Sequence, residues 1–137
     1  MRLQASPNQG AAQQFVAALC LATDAEGDVV RIRGNVVGDR YQVTKVNIDS
    51  IPTLPGIGII IQKTTSTECV VQTYGIVRDV YTGLTFHKRL FVGTTGRLIE
   101  GPPPRPTGGF RGVQAMGVVL SATELLLDVE SPIILRA

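Results

Sequence analysis

The chain has no tryptophan and a single histidine, His87. Any triad or histidine-bearing metal site must run through that one imidazole, and the adjacent Lys88 and Arg89 disfavour both an imidazolium and a bound cation there. No serine sits in a GxSxG elbow. Neither Cys20 nor Cys69 has a CxxC partner or a base beside it in sequence. Both lie in apolar runs, Leu19-Cys20-Leu21 and Cys69-Val70-Val71, and read as small buried hydrophobes. A disulfide between them is left open, although a reducing compartment disfavours it.

Aromatic residues are also scarce, at 5 % of the chain, too few for the stacking platforms of a saccharide cleft unless Tyr41, Tyr74 and Tyr81 converge with facing carboxylates. Charged residues make up 18 % and the formal net charge is +2, so no strong field of one sign is present. The longest basic cluster is His87-Lys88-Arg89, and a nucleic-acid face would have to be assembled from Arg31, Arg33 and Arg40. No run approaches the ~20 apolar residues of a membrane span. Met1-Arg2-Leu3-Gln4 is not followed by the apolar core of a signal peptide, so synthesis and retention in the cytoplasm are expected. The sum of these absences points to a chain without bond-making or bond-breaking chemistry.

What is present is β-forming material cut by turns. Fifteen glycines and eight prolines punctuate a chain that is 44 % hydrophobic, which fits many short strands better than helices. At 137 residues it is long enough for one self-standing core. The expected fold is all-β, a small antiparallel sandwich or barrel built from hairpins, with an extended N-terminal arm. Residues 1–16 are read as the arm, rich in glutamine with little to bury, and 17–137 as a single β domain.

The first strand is expected from Ala17 onward, closed by the acidic turn Asp24-Ala25-Glu26-Gly27-Asp28. That turn has the alternate-oxygen start of a calcium loop but not its glycine or terminal glutamate. Val29 to Arg33 alternates apolar with basic, predicting a half-exposed strand, and Tyr41 to Val46 alternates again. Asn47 to Pro55, with Pro52 and Pro55, is expected to cross in extended form. Two related hairpins follow. In the first, Gly58-Ile59-Ile60-Ile61 and Glu68-Cys69-Val70-Val71 flank a turn at 63–67; in the second, 113–120 and 124–129 flank Ser121-Ala122-Thr123, with both faces expected to be buried.

Between the hairpins come strands at 75–80 and 88–92, an edge piece at 97–100, and the loop Gly101 to Gly109, partly polyproline II in character. Such a loop loses little entropy on docking to another chain. Ile133-Ile134-Leu135 forms an apolar strand after Pro132, to be buried in the sheet or in a seam between subunits.

Four short motifs then occur in fixed order: Tyr81-Thr82-Gly83-Leu84, Phe91-Val92-Gly93-Thr94-Thr95-Gly96, Pro102-Pro103, and Val113-Gln114-Ala115-Met116-Gly117-Val118-Val119-Leu120-Ser121-Ala122-Thr123. Over roughly Gly56 to Glu130 the chain resembles a β module of tailed-bacteriophage virion structural proteins, of the capsid decoration (cement) or head-fibre type. It departs from that pattern at Phe86-His87-Lys88, where a Pro-Gly turn belongs. The resemblance implies a non-enzymatic virion protein without cofactor, metal or small-molecule substrate, and without nucleic acid or membrane as partner.

The implied partners are the major capsid protein and further copies of the chain, as a homo-trimer. A capsid decoration protein bridging neighbouring capsid subunits is the first reading; a head-fibre or tail-tip module contacting host saccharide is the alternative. The candidate contact residues are Leu3, Phe15 and Val16 of the arm, Pro102, Pro103 and Pro104 of the proline loop, and Ile133, Ile134 and Leu135 of the last strand.

Overall fold

A computed structural model describes residues 13–50 and 53–136. Leu3 and nearly all of the expected arm, together with Pro52, lie outside the described residues. Eleven strands and no helix make up the described chain: β1 (Gln14–Leu19), β2 (Val29–Ile32), β3 (Tyr41–Lys45), β4 (Gly58–Lys63), β5 (Glu68–Arg78), β6 (Arg89–Val92), β7 (Leu98–Glu100), β8 (Phe110–Val113), β9 (Ala115–Ser121), β10 (Glu124–Asp128) and β11 (Ile133–Arg136). The all-β expectation holds.

The architecture is a closed five-stranded barrel with a curled extension. Around the barrel the order is β1-β3-β2-β4-β5, and β1 also pairs with β5, closing the ring. One seam is parallel, with Ala18 opposite Tyr41 and Leu19 opposite Gln42; the others are antiparallel. β1 starts at Gln14, so Gln14 to Val16 belong to the barrel and not to an arm, because their backbone pairs with β5 at Tyr74, Gln72 and Val71.

β5 is one strand of 11 residues where two were expected. Its first part is a barrel stave. From Tyr74 onward, through Gly75 with its positive φ of 100°, it pairs with β10 and begins the extension β5-β10-β9-β6-β7. An isolated bridge between Asp28 and Arg97, with Val29 N–H donating to Gly96 O at 2.8 Å, returns the end of this extension to β2.

This double curl makes two hydrophobic cores that share a wall. Val30, Val43, Ile60, Cys69 and Val71 fill the barrel, while Val29, Ile59, Val77, Leu90, Met116, Leu125 and Leu127 fill the extension. Successive side chains of a strand point to opposite faces, so Val29 and Val30, and likewise Ile59 and Ile60, serve different cores. That corrects the half-exposed reading of the 29–33 strand: its first two residues are fully buried, and exposure begins only at Arg31 and Ile32. Burying each such aliphatic side chain contributes about 1.5–3 kcal/mol.

Both expected hairpins form. β4 pairs with β5 and β9 with β10, antiparallel. The second is buried on one face only, since Leu120 is exposed and Val118 and Leu126 are half-buried. Its Gly117 has no room for a side chain: a Cβ there would collide with the Leu126 carbonyl of the facing strand. The run expected to be continuous from Val113 to Leu120 is broken at Gln114, and β8 pairs with β11 instead of joining the main sheet.

The segment after β3 is a compact turn and not an extended crossing. Ser50 N–H donates to Asn47 O at 2.9 Å, Asp49 N–H to Asn47 Oδ1 at 3.0 Å, and Thr53 Oγ1 to Asn47 O at 2.7 Å, which lets Ile48 sink fully into the core.

Candidate functional site

The proline segment leaves β7 with Gly101 N–H bonded to Arg89 O at 2.9 Å. Pro103 and Pro106 are buried while Pro102 and Pro104 face solvent, so the loop is held at two points and open between them. It leads into β8, which with β11 forms a separate two-stranded ribbon: Ile133 opposite Val113, Ile134 opposite Gly112, Leu135 opposite Arg111 and Arg136 opposite Phe110.

Arg111 ties the ribbon down. Its Nε donates to Asp49 Oδ1 at 2.7 Å, Nη2 to Asp49 Oδ2 at 3.4 Å and Nη1 to Pro104 O at 2.8 Å, a forked grip on a carboxylate with one bond left for the proline loop. Gly112 N–H adds a 2.7 Å bond to Ile48 O. At the other end, Arg105 Nη1 donates to Arg136 O at 2.9 Å, and the Arg136 guanidinium lies 5.5 Å from the Phe110 ring centroid. Among the described residues nothing covers the apolar surface of the ribbon: Ile133 is 60 % exposed, Ile134 43 % and Phe110 49 %. β11 is therefore no sheet interior.

Gln114 separates this ribbon from the main sheet. It is fully buried, its Oε1 accepts from Gly56 N–H at 2.9 Å, and its Nε2 donates to Gly56 O at 2.9 Å and Glu130 O at 2.8 Å. Above it runs a shallow groove of about 310 Å³ between Pro55–Ile57 and Val129–Pro132.

The structure thus brings together two of the three expected contact segments. Pro102 to Pro104 and Ile133 to Leu135 meet through Arg105 and Arg111. Phe15 and Val16 are instead on β1 of the barrel, where Phe15 faces solvent and Val16 packs against the barrel core. Sequence reasoning missed Phe110, Arg105, Arg111 and Gln114. The signal for Gln114 was present, as the one amide within an otherwise aliphatic and glycine run.

Other candidate groups have structural partners. Asp24 is buried and accepts from Leu21 N–H at 2.8 Å, Thr44 Oγ1 at 3.1 Å and Lys45 N–H at 3.2 Å. Asp28 accepts from Ala25 N–H at 2.8 Å and faces Arg97 at 3.6 Å and Lys45 at 3.9 Å. Donors and cations from the chain occupy the oxygens that a calcium ion would need, and no cluster with metal-ligand character stands among the described residues.

The tyrosines do not share a platform. Tyr41 and Tyr74 sit against opposite ends of β1, while Tyr81 packs on the extension core, with its hydroxyl bonded to Gly27 O and accepting from Leu98 N–H. Burial raises the Tyr81 pKa. Arg33 and Arg40 are engaged locally, with Val43 O and Glu68 respectively. Cys20 and Cys69 are free thiols packed in the barrel core. Burial, reinforced by Cys20, pushes the Cys69 thiol up to about 12.

Comparison with protein-family models, with curated proteins and with solved structures finds no match for this chain.

Proposed function

We propose that the protein is a non-enzymatic structural component of a tailed-bacteriophage virion, a capsid decoration protein that bridges neighbouring capsid subunits. The observation that carries this reading is the β8–β11 ribbon. It stands outside the main sheet, is anchored at its base by Arg111, and leaves Ile133, Ile134 and Phe110 uncovered. A stiff element with apolar side chains that its own domain does not bury is suited to contact between chains. The turn, strand-end, proline and hairpin motifs of the resemblance support the same reading, since they are the pieces that carry the chain from β5 to this ribbon.

In this proposal the partners are the major capsid protein and other copies of the chain, gathered as a homo-trimer on a local threefold axis. The mechanism is multivalent. Each contact is modest, and simultaneous engagement of several raises the overall affinity by ~10²–10⁴ without new chemistry. Residues 1–12, which precede β1, supply a further contact along the shell in this scheme.

The test is particle composition. Purified shells should contain the protein in a fixed ratio to the major capsid subunit, and removal of residues 1–12, which leaves β1 intact, should weaken capsid binding while the domain stays folded. Shells lacking the protein, with its recovery on host-binding tips instead, would overturn this reading in favour of the head-fibre or tail-tip alternative.

A further inference from the structure

Among the described residues β11 has a neighbour on one side only. Gly112 N–H is spent on Ile48 O at 2.7 Å, away from β11. In an antiparallel pair the N–H and C=O of one residue point to the same side. Gly112 and Ile134 are therefore a pair without mutual hydrogen bonds, and the Ile134 N–H and C=O point outward, away from β8. By the same alternation the outward groups at the other positions are those of Pro132 and Arg136. Pro132 presents a carbonyl and no N–H. Arg136 presents an N–H, while its carbonyl already accepts from Arg105 at 2.9 Å. No backbone hydrogen bond to another segment uses the outward groups of Ile134 among the described residues.

This inventory is self-complementary. When two copies of β11 are laid antiparallel about a twofold axis at Ile134, each Ile134 N–H meets the Ile134 carbonyl of the other copy. Each Arg136 N–H meets the Pro132 carbonyl of the other copy. The donor that Pro132 lacks falls opposite the one carbonyl that Arg105 has already satisfied, so no group is stranded. Side chains agree with the backbone: Ile133 falls across from Leu135 and Ile134 from Ile134, which covers the residues exposed at 60 % and 43 %.

Charges agree as well. Arg136 faces Pro132 and not another arginine, and the register puts it diagonally toward Glu130 of the second copy, an exposed carboxylate that also contacts its own Arg89 at 3.3 Å. We infer that the outer edge of β11 joins two copies of this chain in a twofold, four-stranded ribbon. The contact does not depend on the virion reading. It is compatible with a trimer, in which case it links one trimer to the next.

The experiment uses the purified full chain with no capsid present, so its outcome is separate from that of the decoration reading. Sedimentation across a concentration series should give the wild type, at high concentration, twice the mass of the Ile134→Pro variant. Proline at 134 deletes only the outward N–H and leaves the β8 bonds in place, as edge positions tolerate. Should that variant misfold, Ile134→Lys sets two ammonium groups opposite each other on an edge that otherwise keeps its fold, and should likewise halve the mass. An Ile134→Cys variant should form a covalent pair on mild oxidation, because Cys20 and Cys69 are buried and do not compete. Equal masses for wild type and folded variants, or a wild type that stays at the lower mass throughout, would overturn the inference.

Discussion

The side-chain amide of Gln114 pairs with the backbone of Gly56 as a neighbouring strand would, accepting from its N–H and donating to its carbonyl, each at 2.9 Å. The two residues are 58 positions apart in sequence. Gly56 allows the approach because a Cβ there would lie 2.6 Å from Val29 Cγ1 and 3.5 Å from Gln114 Oε1. One buried amide thus closes the gap between β8, which stands apart from the main sheet, and the chain as it enters β4.

Replacing Gln114 by Leu keeps the volume but strands the Gly56 N–H and the Gly56 and Glu130 carbonyls. Each buried group left unpaired costs about 1–3 kcal/mol; Glu130 is exposed and its carbonyl can turn to water, so the two groups of buried Gly56 should cost Gln114→Leu roughly 2–6 kcal/mol in urea unfolding. Gln114→Glu should be at least as damaging, because a carboxylate cannot donate to either carbonyl. A loss below ~0.5 kcal/mol would show that water replaces the amide.

Gly117 makes a steric prediction. The Gly117→Ala variant drives a methyl group into the Leu126 carbonyl, and backbone cannot yield as a flexible side chain does. The hairpin must separate locally, at about 1–3 kcal/mol. The urea midpoint should fall, with the greatest loss of amide protection at Val118, Leu126 and Leu127, the pairs that flank the collision.

Arg111 should control the ribbon without controlling the cores. Its side chain is 15 % exposed and holds Asp49 and the Pro104 carbonyl together. Arg111→Lys keeps the charge but cannot make the forked contact. Hydrogen exchange should speed up about tenfold or more at the β8–β11 amides of Ile133 and Leu135, for a local loss of ~1.4 kcal/mol. Barrel amides such as Val71 should keep their protection.

Cys69 predicts an alkaline weakness. Its folded thiol is raised to about 12 from an ordinary value of 9.0. Between those values the unfolded chain loses a proton that the folded chain retains, so stability is full below pH ~9 and declines as pH climbs toward 12. Tyr81, raised by burial in the same direction, adds to the decline above its ordinary 10.0. The urea midpoint should drop between pH 8 and 10.5 (roughly, from these windows), and Cys69→Ala should flatten that slope. Native Cys69 should also resist thiol reagents until the protein unfolds.

Much of the local structure was legible in the sequence. Turn residues at 63–67 and 121–123 fixed both hairpins, and the proline density of 101–109 excluded a strand there. Unbroken aliphatic pairs such as Val29-Val30 and Ile59-Ile60 carried more than was read from them. A strand with apolar residues on both faces must have a core on each side, and two cores divided by one wall was the architecture. The arm boundary was misplaced because Gln14 and Phe15 expose their side chains and join the barrel through backbone alone, which hydropathy does not register.

The order of residues was enough to set the class of the protein: many short strands, turns at set places, one domain's worth of apolar residues, and an apolar strand at 133–135. Only folding in three dimensions settled that β5 would serve two sheets, that Gln114 would turn its amide onto Gly56, and that β11 would have, among the described residues, one edge without a partner. Strand formation depends on local periodicity and turn chemistry, which a chain carries in its order of residues. Which strand lies beside which depends on how two curled sheets can bury their faces together without stranding a polar group, and that balance exists only after residues far apart in sequence have met.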